Sequence, residues 1–222
     1  VHHAGSPIIG HRTGITLAAV SESESSVIDR VVAHLGGVFE EATPQRASVT
    51  FLGLESIDVL RFSVPPKGVA YVSLGCSRHP MGEPDQLVVD PTEGPRAEVV
   101  VRMNLSAAST GSTQLRGLHR TVAMLAAAPA VEGLVLTADA LIDLGEPLWE
   151  GATFTAAVLE DDVIAPCGLP GELEAVHFFR AIPVTANEAA WVRLKGVEAL
   201  RAAWGEAGID INDPGRAGAT IG

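Results

Sequence analysis

Arg96-Ala97-Glu98-Val99-Val100-Val101-Arg102-Met103-Asn104-Leu105 is the stretch on which the fold turns. Ala97, Val99, Val101, Met103 and Leu105 stand at alternate positions, with Glu98, Arg102 and Asn104 between them. Side chains of an extended chain point to opposite faces in turn, so this spacing predicts a strand with one apolar face. Such a strand needs neighbours, and short apolar runs precede it at Val49 to Leu52, Ile57 to Val64 and Val69 to Leu74. In the second run Leu60, Phe62 and Val64 share a face, with Arg61 and Ser63 opposite. Pro65-Pro66-Lys67-Gly68 joins it to the third run as a turn, which predicts a hairpin. Downstream, Leu134 to Val158 reads as two strands around Asp143-Leu144-Gly145-Glu146-Pro147, and Ala175 to Pro183 reads as another.

Helical spacing separates these runs. Val27, Ile28, Val31, Val32 and Leu35 mark one face of a helix over Ser25 to Leu35, with serines as caps and Gly36-Gly37 as its stop. Glu22 and Glu24 suit the positive end of its dipole. Leu115, Leu118, Val122 and Leu125 mark a second helix over Ser112 to Ala128, ended by Pro129. Thr185 with Glu188 three residues on is a capping box. The helix it opens carries Trp191, Val197, Leu200 and Trp204, and Gly196 divides it in two. Strands and helices are mixed without strict alternation. The expectation is therefore an α+β fold, a mixed and largely antiparallel central β-sheet flanked by helices. Residues 1–14 read as a flexible leader, 15–210 as a single domain and 211–222 as a flexible tail.

Composition narrows the function. The 222 residues suffice for a sizeable core, and with only 5% aromatic residues that core must be aliphatic. The net charge of -12 repels phosphate backbones, and the basic residues are dispersed, so no nucleic acid is expected as a partner. A basic protein suits such a surface. Two cysteines, Cys76 and Cys167, are too few for a secreted disulfide scaffold. They point to a reducing compartment, although one bridge between them stays open. The N-terminus has no basic region followed by an apolar run, and no segment is apolar for long enough to span a membrane. The expected location is the cytoplasm, with no membrane partner.

The order of the pieces resembles the Suppressor of fused family, in its bacterial members. Five stretches carry the resemblance: Tyr71-Val72-Ser73-Leu74-Gly75-Cys76-Ser77, Arg96 to Met103, the helix Leu115 to Ala128, Leu141 to Leu148, and Phe178-Phe179-Arg180-Ala181-Ile182-Pro183-Val184-Thr185 with Glu188 and Gly196. It covers roughly Leu54 to Gly208. The part through Gly53 has no match, and the loop after Cys76 departs from the animal members. The resemblance implies a protein-binding domain without catalysis or cofactor. Animal members restrain transcription factors of Hedgehog signalling, and bacterial members look like immunity proteins that neutralise polymorphic toxins. The implied partner is another protein, such as a basic toxin domain.

Chemistry-bearing clusters are few. Cys76-Ser77-Arg78-His79 has the gap of half a zinc site, but a closed site needs four ligands, and Cys167 and His177 lie far along the chain. A hydrolase using Cys76 and His79 is the competing functional class, and it requires a lowered thiol pKa with a base in reach. A structural subunit of a homo-oligomer is a third class. Gly75-Cys76-Ser77 lacks the second glycine of a nucleophile elbow. Val1-His2-His3 has the nitrogen pattern for Cu(II) or Ni(II), and as plainly that of a leader. Glu160-Asp161-Asp162 lacks the spacing of a calcium loop and reads as a solvated turn.

The loop from Gly75 to Pro95 is long for a compact domain, and long loops beside rigid strands are where recognition concentrates. Cys76, Ser77, Arg78, His79 and Met81 in it are the candidate partner-binding residues. Trp149, beside Pro147 and Gly151, joins them as an exposed anchor or, equally, as a side chain packed over the core.

Overall fold

The computed structural model describes residues 17–82, 93–105 and 115–220, with side chains from residue 27 onward. Leader residues 1–14, with Val1-His2-His3, lie outside that range. Among the described residues the strands form a seven-stranded sheet in the order β1-β2-β3-β4-β7-β6-β5. The strands are β1 (Gln45–Val49), β2 (Ile57–Val64), β3 (Gly68–Leu74), β4 (Arg96–Asn104), β5 (Leu141–Asp143), β6 (Phe154–Asp161) and β7 (Val176–Thr185). All neighbours are antiparallel except the central pair, β4 with β7. The fold is α+β, with helices on both faces.

The strand over 96–104 lies at the centre, and its two faces meet different layers. Ala97, Val99, Val101 and Met103 pack with Ile57, Val59 and Leu159 against α2 (Leu118–Glu132), through Leu118, Val122, Leu125 and Ala126. Val100, Leu60, Phe62 and Val72 face the other way, onto Val27, Val31 and Leu35 of α1 (Leu17–Phe39). Farther along that second face Ala156, Val158, Ile182 and Val184 are covered by α3 (Ala186–Lys195) and α4 (Val197–Ala207), through Ala189, Leu200 and Trp204. Both sides of the central strands are therefore buried. Their alternation of apolar and polar residues does not mark a wet face.

Several boundaries differ from the sequence reading. The first strand is residues 45–49, not 49–52. The first helix spans 17–39, so Glu22 and Glu24 lie within it and Gly36-Gly37 does not stop it. Its last residue, Phe39, stacks on Phe62 with ring centroids 4.2 Å apart, and that contact rewards the extra turn. α2 begins after Gly117 and runs past Pro129 to Glu132. A proline so near the end removes one hydrogen bond without breaking the turn, and Gly133 in the left-handed region, with its N–H on the Pro129 carbonyl, closes the helix. Gly196 does divide the last helical stretch into α3 and α4.

The acids at 160–162 are no solvated turn. Glu160 pairs with Arg180 at 3.0 Å, and the buried Asp162 carboxylate takes two hydrogen bonds from Arg102, at 2.6 and 2.8 Å. Cys76 and Cys167 are both free thiols. Among the described residues no helix is long and apolar enough to cross a membrane.

The chain after Asp210, a flexible tail by its sequence, folds back onto the sheet over the described residues to 220. The reason is Glu188. Its capping box with Thr185 is complete, and its carboxylate, with no exposed surface, also accepts from Trp204 Nε1 (2.8 Å), the Ala219 amide (3.0 Å) and both terminal nitrogens of Arg216 (2.8 and 3.1 Å). Arg216 also donates to the Pro183 carbonyl, and its guanidinium lies 4.8 Å from the Phe154 ring centroid and 5.3 Å from that of Trp204. A lone buried carboxylate would be costly, and the tail supplies its counter-charge.

Burial alone would raise the Glu188 carboxyl. The hydrogen bonds from Arg216, the Thr185 amide, Trp204 and the Ala219 amide outweigh it and hold the group below its ordinary 4.5. A depressed folded pKa adds stability that is complete above 4.5 and lost as pH falls through the lower folded value. Arg216→Ala leaves the carboxylate buried and unpaired, and should lower unfolding free energy by about 3–5 kcal/mol in urea melts at pH 7. Between pH 6 and pH 3 the urea midpoint of the unmodified chain should fall more steeply than that of Glu188→Gln. Equal slopes would assign the acid loss to other carboxylates, such as Asp58 and Asp143.

Candidate functional site

β3 ends at Leu74, and the chain leaves the sheet there. Gly75 makes the exit at φ 137°, a left-handed region that favours glycine, and a Cβ there would stand 3.2 Å from Arg78 Nη1. One 3-10 turn follows, Cys76–Arg78, and then His79 in extended backbone. This turn would hold few bonds of its own. Two charged side chains from β4 hold it instead.

Glu98 is fully buried and points from the sheet into the turn. One carboxylate oxygen accepts from the Gly75 amide (2.8 Å), the Ser77 amide (3.1 Å) and Ser77 Oγ (2.6 Å); the other accepts from Ser73 Oγ. Ser73 Oγ in turn accepts from the Val99 amide at 2.8 Å. Arg96, 2% exposed, donates from Nη1 to the carbonyls of Ser77 (2.9 Å) and Arg78 (2.6 Å). Burial lowers the Arg96 pKa from its ordinary value, with Glu174 opposing that shift. Glu98 thus takes the donors of the turn and Arg96 its acceptors, so the loop backbone is fixed from below.

Above this base lies a cleft of about 570 Å³. Its walls are Gly53 to Glu55 and Ile57 from the β1–β2 side, Gly75 to Gly82 apart from Ser77, and Ala126, Pro129, Ala130 and Gly133 at the end of α2. Arg78 crosses its rim to Glu55 Oε2 (3.1 Å) and the Ser56 carbonyl (3.0 Å), and His79 Nε2 stands 3.9 Å from the same Glu55 oxygen.

The six residues singled out from sequence divide. Cys76, Arg78, His79 and Met81 all line this cleft. Ser77 does not; its side chain is spent on Glu98. Met81 is buried, and its sulfur accepts from the Leu136 amide at 3.4 Å, so it forms wall, not surface. Trp149 is no exposed anchor: it is buried, with its ring 5.4 Å from Phe154 in the core. A loop placed over a core hides its aromatic side chain, a distinction that Pro and Gly neighbours do not carry. Part of the expected recognition loop, residues 83–92, lies outside the described range. Sequence reasoning missed Glu98 and Arg96, because charged residues between strand valines look like a solvent face. It also missed Leu54 and the end of α2, which only packing brings to the loop.

Burial and the neighbouring Glu98 carboxylate push the Cys76 thiol well up, which is the reverse of what a cysteine nucleophile requires. Among the described residues no group of three or more His, Cys, Asp or Glu could hold a metal ion.

Comparison with known proteins places these features in a family. The family model of Suppressor of fused protein (SUFU) matches residues 53–217, which contain the cleft, Glu98 and Arg216. No curated protein matches the sequence. Among solved structures, a Neisseria gonorrhoeae protein described as a homologue of suppressor of fused superposes with a TM-score of 0.60 at 20% identity, over 89% of this chain and 99% of that one. The structure of a Sufu–Fu complex gives 0.62 at 14% identity, over 86% and 91%. Drosophila Suppressor of Fused gives 0.61 at 14% identity, over 86% of this chain and 50% of its own. At these identities the likeness is one of fold.

Glu98→Ala would strand two amides, two hydroxyls and a buried volume, and should cost on the order of 3 kcal/mol. Its signature is local. Amide hydrogen exchange at Gly75 and Ser77 should accelerate far more than at Val100 and Val101 in the same sheet; uniform acceleration would show that Glu98 stabilises the sheet and not the turn.

Proposed function

The chain belongs to the Suppressor of fused family, and on that premise we propose that it is a non-catalytic protein-binding domain that neutralises a toxin protein in the cytoplasm of its host. The observation that carries this reading is the cleft over the Gly75–Gly82 turn. Its backbone is fixed from beneath by Glu98 and Arg96, and its walls are largely aliphatic. A preorganised apolar concavity binds without first ordering itself, which is where a non-catalytic binder gains its affinity. Arg78, His79 and the cleft face of Cys76 are the contact residues. Ser77 and Trp149 act through support of the surface, and Met81 forms part of the apolar wall of the cleft.

Four further points favour the reading. Burial and the Glu98 carboxylate raise the pKa of the Cys76 thiol, which argues against the competing hydrolase. A Sufu–Fu complex shares the fold, so this scaffold presents protein-binding surfaces elsewhere. The net charge of -12 steers a basic toxin domain inward and speeds its capture. Two unbridged cysteines suit the reducing cytoplasm.

Co-expression with the toxin-type gene nearest its own in the native genome tests the proposal. Survival on plates should rise at least tenfold, and the two proteins should co-elute as one species on gel filtration. A chain that neither protects nor binds, and that recovers only chaperones from its host, would overturn it.

A further inference from the structure

The cleft over the Gly75–Gly82 turn does not end at its walls. Leu52 stands wholly exposed beside its β1–β2 wall, and Val131 (62% exposed) and Leu134 (38%) lie beside its α2 wall. Leu54 and Ile57 line the cleft itself, and each of the three exposed residues is next in sequence to a residue of its lining, Gly53, Ala130 or Gly133. Isolated exposed aliphatic residues need no explanation, but several around one apolar cleft mark a surface built to be covered.

Charge at this rim has one sign in excess. α2 delivers its C-terminal end here, with the negative pole of its dipole and its last carbonyls. The last turn carries no basic residue to compensate them, and it carries the exposed Glu132. His119 and Arg120 of the same helix sit at the opposite end. Across the cleft Glu55 keeps 58% of its side chain exposed. The one arginine of the lining, Arg78, is 18% exposed and already turned onto Glu55 and the Ser56 carbonyl. An occupant therefore meets aliphatic walls, on one side the Glu55 carboxylate engaged by Arg78 with His79 at 3.9 Å, and on the other the exposed Glu132 and a helix end whose last turn carries no basic residue.

We propose that the cleft takes an amphipathic segment of a partner protein that sets one or two aliphatic side chains between Leu54, Ile57, Met81 and Ala126 and places arginine or lysine against Glu132 and the carbonyl end of α2. The proposal rests on the binding reading above and names the chemistry of its partner at that surface. The apolar anchor supplies affinity by desolvation, and the cation supplies orientation, since a reversed segment would leave the helix end uncompensated.

The probes are two 14-residue peptides of identical leucine pattern at helical spacing, one with lysine and one with glutamate at every polar position. The full-length, isotope-labelled chain is titrated with each in 150 mM salt. The lysine peptide should bind saturably, at least tenfold more tightly than the glutamate peptide, with resonance shifts concentrated at 53–57, 75–82 and 126–134. Ala130 is exposed, so Ala130→Trp fills the cleft mouth without disturbing the core, and should abolish binding at an unchanged melting temperature. Glu132→Lys should erase most of the preference between the peptides and leave the fold intact. Undiminished binding to Ala130→Trp, equal affinity for both peptides, or shifts spread over the whole acidic surface would each overturn the inference. A native partner that binds Ala130→Trp and Glu132→Lys as well as the unmodified chain would also overturn it, while leaving the binding function in place. A chain that binds this peptide but no native protein would do the reverse.

Discussion

A carboxylate with no solvent around it is the constraint on which this molecule's working end depends. Glu98 lies at 0% exposure near the start of a central strand. Left alone, an ionised group there would cost several kcal/mol, so its oxygens must be met by donors. Every donor comes from the exit of the neighbouring strand: Ser73, the Gly75 amide, and the amide and hydroxyl of Ser77. The need of the buried charge and the need of the exposed loop are met by the same four bonds. Arg96 repeats the arrangement with opposite polarity, since its donors reach two loop carbonyls that no strand pairs with. A loop anchored in this way keeps a concave shape while its outer side remains free to meet a partner.

Glu188 and Arg216 apply the same device at the far end of the sheet. There the carboxylate caps a helix, holds an indole and draws the chain end across the β6–β7 half as far as Ala219. The aliphatic core is sufficient for compactness, but it does not choose where the turn after β3 and the chain after Asp210 lie. Two buried acids make that choice, because a misplaced hydrogen-bond partner costs more than a misplaced methyl group.

Much of the architecture was legible because it rests on local periodicity. The alternation in 96–105, the Pro65–Gly68 turn, the capping box at Thr185 and the break at Gly196 each reflect bonds within a few residues, and each appears in the structure near its expected place. The order of those pieces was sufficient for the family, whose match over 53–217 brackets the expected Leu54 to Gly208. Boundaries drifted where a tertiary contact overrode a local signal: Phe39 on Phe62 carried α1 through two glycines, and α2 absorbed Pro129 in its last turn. At the site, four of six residues came out together in the cleft because they lie in one loop. Ser77 and Trp149 did not, because exposure belongs to packing and not to a residue's neighbours in sequence.

What the sequence by itself determined is the α+β class, the strand and helix order, the net negative charge and the loop that lines the cleft, all properties of periodicity, charge and short-range bonds. What only the tertiary structure decided is which polar residues are buried. Glu98 and Arg102, four residues apart on one face of β4, have different fates: the first is sealed under the loop and the second, 19% exposed, pairs with Asp162. The cause is coverage. A period of two states that Glu98 faces away from Val99, and the position of α1 and the Cys76–Arg78 turn over that face determines that away means into protein and not into water.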